Sequence, residues 1–173
     1  MIILGIDPGL NATGYGILET LRDHLRFIAA GDIRPPKKEP LPQRLGAIHD
    51  ELLRLMERYR PDTIVLEKIF THYRHVTTAT LMAHARGVAC LAAARHQVPL
   101  VEYLPTRVKK AVTGYGVASK QQMSKAVGVW LSVETSEWAP DVTDALALAI
   151  THAHIHTHAG LPSTGRRLAE VAG

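Results

Sequence analysis

The sequence predicts an α/β domain built on a mixed five-stranded sheet flanked by helices. Short runs rich in Ile, Val and Leu alternate with longer helical segments in the order β-β-β-α-β-α-β-α. The first two runs are separated by a short loop that opens with a Pro-Gly turn, so they pair as an antiparallel hairpin. The later ones are linked through helices, so they run parallel.

Met1 to Ile6 is an apolar run of strand length that ends at Asp7, and Pro8-Gly9 turns the chain. Gly14 to Leu18 resumes extended character, and Leu25 to Ile33 supplies a third strand before the Pro35 to Pro40 loop. Leu41, Leu45, Ile48, Leu52, Leu55, Met56 and Tyr59 form one helical stripe, stopped by Pro61-Asp62. Thr63 to Glu67 is a second β-branched run ending in a carboxylate, followed by the polar stretch Thr71 to Thr78. Leu81 to Gln97 reads as an Ala-rich helix whose small residues permit close helix approach, and Pro99 to Tyr103 as a fifth strand. Pro105 to Val112 is a short helix broken at Gly114-Tyr115-Gly116. Ser119 to Val133 is amphipathic and opens on a capping box, Ser119 with Gln122. The last helix is expected from Asp141 to His158. Residues 1–158 thus make one domain, and the Pro-, Ser- and Gly-containing tail 159–173 is expected to be disordered.

The 173 residues suffice for one proper core, and 46% hydrophobic with 21% charged residues is ordinary for a soluble protein. A formal charge of +4 and a pI near 9.4 favour a polyanionic partner. A single cysteine, Cys90, cannot close an internal disulfide and reads as a small buried hydrophobe. No leader and no uninterrupted run of 18 apolar residues are visible, so the expectation is a cytoplasmic protein.

The chemistry is carried by acids. Asp7 and Glu67 each end a buried strand, and no Lys or Arg precedes Arg22 to pair with Asp7. Asp141 and Asp144 stand at i and i+3, roughly 5–6 Å apart at Cβ on one helical face. Alone, such a pair could simply complement the helix dipole, and a strand-end acid could be a solvated turn residue. Two strand-end acids beside an acidic pair and the apolar run Ala145 to Ile150 favour a shared divalent cation, Mg²⁺ or Mn²⁺.

Ile6-Asp-Pro-Gly9 with Thr13-Gly-Tyr-Gly16, Leu66-Glu-Lys-Ile-Phe70, Ala85-Arg-Gly87 and Asp141-x-x-Asp-Ala-Leu-Ala-Leu-Ala-Ile-Thr-His152 resemble the RuvC Holliday-junction resolvases, in register from Met1 to about His158. The resemblance implies a ribonuclease-H-like fold, a homodimer, and paired symmetric nicking of a four-way DNA junction in recombination and repair. It implies catalysis by two Mg²⁺ ions per site, with Mn²⁺ as substitute, leaving 5′-phosphate and 3′-hydroxyl ends. By the same carry-over Asp7, Glu67, Asp141 and Asp144 are the metal-binding catalytic acids. Phe70 would stack on an unpaired base, which contributes about 1–3 kcal/mol, while Tyr73 and Arg74 in the same loop join the DNA contact. That loop is where the chain departs most from the family pattern. Lys109 and Lys120 match basic positions beside the active site, with Arg107, Lys110 and Lys125 extending the strip. Family membership further implies work with the RuvA–RuvB branch-migration complex.

Three other readings bear on the same residues. His152, His154, His156 and His158 form two i,i+4 pairs, which suit either Zn²⁺ or the dipole of a helix C-terminus. Gly5 to Gly9 with Thr13-Gly14 also resembles the first phosphate motif of the sugar-kinase and actin superfamily, which uses two such domains. A non-catalytic junction-binding subunit would be expected to lack one or more of the four acids.

Overall fold

The computed structural model describes residues 1–22, 24–68 and 76–156, with residues 76–78 described by backbone alone. Five strands, β1 (Ile2–Asp7), β2 (Thr13–Thr20), β3 (Leu25–Ile33), β4 (Thr63–Glu67) and β5 (Leu100–Tyr103), form one sheet in the order β3-β2-β1-β4-β5. β1 and β2 pair antiparallel from Ile2↔Glu19 to Asp7↔Gly14, and β2 pairs antiparallel with β3. β1–β4 and β4–β5 are parallel. The expected mixed sheet is the observed one.

Side chains alternate across a strand, and that alternation sorts the core into two layers. Leu4 and Ile6 of β1 and Ile64 and Leu66 of β4 face helices α1 (Leu41–Tyr59) and α2 (Val76–Arg95). Ile3 and Val65 face the opposite layer, made by α3 (Pro105–Thr113), α4 (Lys120–Leu131) and α5 (Pro140–His156). Asp7 and Glu67 share the parity of Ile3 and Val65, which puts both acids on the α5 side.

Helix α1 follows its stripe, with Ile48, Leu52, Leu55 and Met56 buried, and ends where left-handed Arg60 returns its N–H to the Met56 carbonyl at 2.8 Å. Helix α2 begins at Val76, earlier than the Leu81 expected from the sequence. The threonines of its first turns lack the apolar periodicity that marks a helix. Ala85, Ala89, Ala92 and Ala93 turn inward, whereas the space above Gly87 is open. Cys90 is half-buried, not buried. The capping box at α4 forms as the sequence predicts: Gln122 N donates to Ser119 Oγ at 3.2 Å and Ser119 N to Gln122 Oε1 at 2.9 Å.

From Ala145 to Ile150 helix α5 is apolar on every side because it lies between the sheet and α3–α4. Leu146, Leu148 and Ile150 are completely buried there, each contributing about 1.5–3 kcal/mol. Among the described residues no helix is long and apolar enough to cross a membrane.

Candidate active site

The site lies where β1, β4 and the first turn of α5 meet. Parallel pairing of β1 with β4 runs to Ile6↔Leu66, so Asp7 and Glu67 are the next residues of two adjacent strands. The turn after Asp7 is pinned: Thr13 Oγ1 donates to the Gly9 carbonyl at 2.8 Å, and Arg44 Nη2 on α1 donates to the Leu10 carbonyl at 2.9 Å.

What brings Asp141 and Asp144 to the strand ends is a floor without side chains. A Cβ built on Gly14, the partner of Asp7, would stand 2.0 Å from the Asp141 carbonyl oxygen. One built on Gly5 would stand 2.0 Å from the Ala145 carbonyl oxygen. Only glycine allows the backbone of α5 to lie this close to the sheet.

The electrostatics record the crowding. Burial, then the charges of Asp144, Asp141 and Glu67, push the Asp7 carboxyl up to about 7, against a weaker pull from Lys120. Burial and Asp144 raise Glu67, while Lys109, Lys120 and Arg86 oppose the shift. Burial also raises Asp144; Lys120 opposes it most strongly, through its charge and a hydrogen bond, Asp141 adds to the rise, and Lys109 opposes it. Lys120 Nζ lies 3.5 Å from Asp144 Oδ2, the one ion pair among the described residues that reaches these acids. A shallow groove runs outward from there, lined by Lys120, Gln121, Ser124, Trp138, Thr143 and Asp144.

Carboxylates that repel one another and are partly withdrawn from water suit a hard divalent cation, which prefers oxygen donors and would hold them ionised. The donor set therefore fits. Among the described residues no three His, Cys, Asp or Glu side chains converge tightly enough to hold an ion unaided.

The expected DNA-contact residues divide. Lys109 and Lys120 both act on the acids. Phe70, Tyr73 and Arg74 lie outside the described residues, as do His158 and the tail. His152 and His156 stack with ring centroids 4.3 Å apart, and both meet the Tyr103 hydroxyl, at 3.0 and 3.2 Å. His154 instead packs edge-on against Trp130. Burial, then His156, lowers His152 to about 4. His152 is therefore a neutral, buried part of the core beside β5, joined to the exposed His156 through the Tyr103 hydroxyl.

Sequence reasoning did not assign a role to Arg86, whose guanidinium reaches the main chain of Glu67. Its signals in the sequence are its place in the Ala85-Arg-Gly87 motif and a cation set among the small residues of an Ala-rich helix.

A family model described as crossover junction endodeoxyribonuclease RuvC matches residues 3–152, most of the chain. This chain belongs to the RuvC family. The RuvC of Alkaliphilus metalliredigens is 44% identical over 154 residues, covering 89% of this chain and 93% of that protein. The RuvC of Alkaliphilus oremlandii is 45% identical over the same shares. Among solved structures, Thermus thermophilus RuvC in complex with a Holliday junction substrate superposes with a TM-score of 0.84 at 31% identity. That match covers 91% of this chain and 96% of the other. RuvC membership accounts for the ribonuclease-H-like arrangement of sheet and helices and makes the chain a metal-dependent nuclease acting on phosphodiester bonds.

Proposed function

We propose that this RuvC-family nuclease resolves four-way DNA junctions by paired nicks, with Asp7, Glu67, Asp141 and Asp144 holding two Mg²⁺ ions. The observation that carries the reading is the convergence of four acids: Asp7 and Glu67 end adjacent parallel strands against the first turn of α5, which bears Asp141 and Asp144. The crowding, with burial, raises the Asp7 carboxyl. Such a cluster is unfavourable as a structural feature and favourable as a cation site. Bound there, the ions would supply Lewis acidity for in-line attack of water on phosphorus, leaving a 5′-phosphate and a 3′-hydroxyl. Asp7, facing all three partners, is best placed to serve both ions. Lys120 and Lys109 supply positive charge for the scissile phosphate and for the charge that develops on it. Phe70, Tyr73 and Arg74 are proposed to meet bases and phosphates near the crossover, on the strength of the family resemblance.

Symmetric cutting needs two sites related by a dyad, which a C2 dimer supplies. Support for a dimer comes from the outer faces of α1 and α2. There an apolar groove is lined by Leu45, Leu53 and Val88, with Leu91 half-exposed beside the open Gly87. Cooperation with a RuvA–RuvB complex is proposed from family membership alone.

The test is cleavage of a synthetic mobile four-way junction with Mg²⁺ or EDTA by the wild type and Asp7→Asn. Symmetric Mg²⁺-dependent nicks by the wild type, with binding but no cutting by the variant, are the expected result. Junction binding without cleavage by the wild type, in Mg²⁺ and in Mn²⁺ and over varied crossover sequences, would leave a binding module.

A further inference from the structure

Arg86 is the one arginine on the inward side of α2, between Ala85 and the buried Ala89, and its side chain is only 12% exposed. Its planar fork serves two strands at once. Nη1 donates to the Glu67 main-chain carbonyl at 2.6 Å, and Nη2 pairs with the Glu102 carboxylate on β5. The residue after Glu67 is also fastened: Lys68 N donates to the Tyr103 carbonyl at 2.8 Å. Glu67 therefore leaves the sheet with its own carbonyl and the following amide both held. A carbonyl at a strand end would be adequately solvated by water, so a largely buried guanidinium is not needed to satisfy it. What the guanidinium adds is direction, because a fork gripping two strands fixes the peptide from which the Glu67 side chain departs.

From this geometry we infer that Arg86 is a positioning residue for the metal site: it sets the Glu67 carboxylate through the main chain without touching metal or DNA. The inference rests on the proposed metal-binding role of Glu67. Partners that orient metal ligands typically carry about 10–100-fold in metal affinity or activity, and Arg86 is expected in that range. Lysine at this position can reach one partner but cannot grip both.

The experiment compares wild type, Arg86→Met, Arg86→Lys and Glu67→Gln. Three quantities are read: junction affinity in EDTA, the rise in Tm of the DNA-free protein on titration with Mg²⁺ alone, and the Mg²⁺ dependence of single-turnover junction cleavage. For Arg86→Met the expected result is unchanged junction affinity, a cleavage rate about 10–100-fold lower, and a Tm response displaced to higher Mg²⁺. Arg86→Lys should fall between it and the wild type. A merely structural tether would lower the rate only in proportion to the folded fraction and leave the Mg²⁺ midpoint unmoved, overturning the inference. Where Arg86→Met does not fold, Arg86→Lys decides: a wild-type Mg²⁺ midpoint overturns it, a raised one supports it. Wild-type cleavage by Glu67→Gln would sink the metal-site reading itself. An inactive Glu67→Gln beside wild-type-like Arg86 variants would sink this inference alone.

Discussion

Replacing Gly14 with alanine adds one methyl group at the point where the sheet carries the first turn of α5. In an ordinary strand the change is favourable by roughly 0.4–1 kcal/mol, because alanine has less unfolded-state freedom to lose. Here the new Cβ meets the Asp141 carbonyl oxygen at 2.0 Å and the carbonyl carbon at 2.3 Å, both main-chain atoms that cannot rotate away. Restoring ordinary contact at about 3.4 Å requires the turn to lift by roughly 1.4 Å. Overpacking of this kind costs about 1–3 kcal/mol, so the sign reverses. A displacement of about 1 Å at reacting groups is worth about 100-fold in rate. Gly14→Ala should thus lose stability in urea unfolding and lose cleavage by about two orders of magnitude per folded molecule, while still binding junctions in EDTA. Gly46→Ala on α1, where nothing lies within 4 Å of the added Cβ, is the control and should gain about 0.5–1 kcal/mol. A Gly14→Ala protein as stable and as active as the wild type would refute the claim that bare backbone sets the position of Asp141.

Two further outcomes follow from the electrostatics and the core. Asp7 holds its proton up to about pH 7 in the folded chain but only to its ordinary value of 3.8 when unfolded. Its contribution to stability is therefore full below pH 3.8 and is lost as pH rises towards 7. Without divalent ions, the Tm of Asp7→Asn should exceed that of the wild type at pH 8, and the difference should vanish or reverse near pH 4; parallel curves would contradict this. Tyr103→Phe removes the hydroxyl shared by His152 and His156. It should cost about 1–3 kcal/mol in chemical denaturation with no change in cleavage per folded molecule, and a lost activity at full stability would reassign the pair to the reaction.

Much of this arrangement was readable beforehand, for definite reasons. Asp7 and Glu67 end apolar strands, and strand parity alone places them on one face. The acidic pair at 141 and 144 is a local helical spacing, and the α4 capping box is a local hydrogen-bond pattern. What periodicity could not show is contact between backbones. Gly5 and Gly14 read as part of a hairpin motif, whereas their consequence is the docking of a helix more than 120 residues away. Arg86 escaped for a similar reason: its partners are a main-chain carbonyl and a carboxylate on two strands, neither specified by the sequence around it. The start of α2 was missed because threonines carry no apolar stripe to follow.

Helix α5 delivers two of the four acids and also fills the middle of one core layer. During synthesis, every product that stops before residue 140 lacks both of those acids and the wedge that closes the layer. Under the proposed assignment, completing this core layer and assembling the metal site thus become one event. A fragment that ends before this helix therefore lacks two of the four proposed metal ligands together with the residues that complete the core layer.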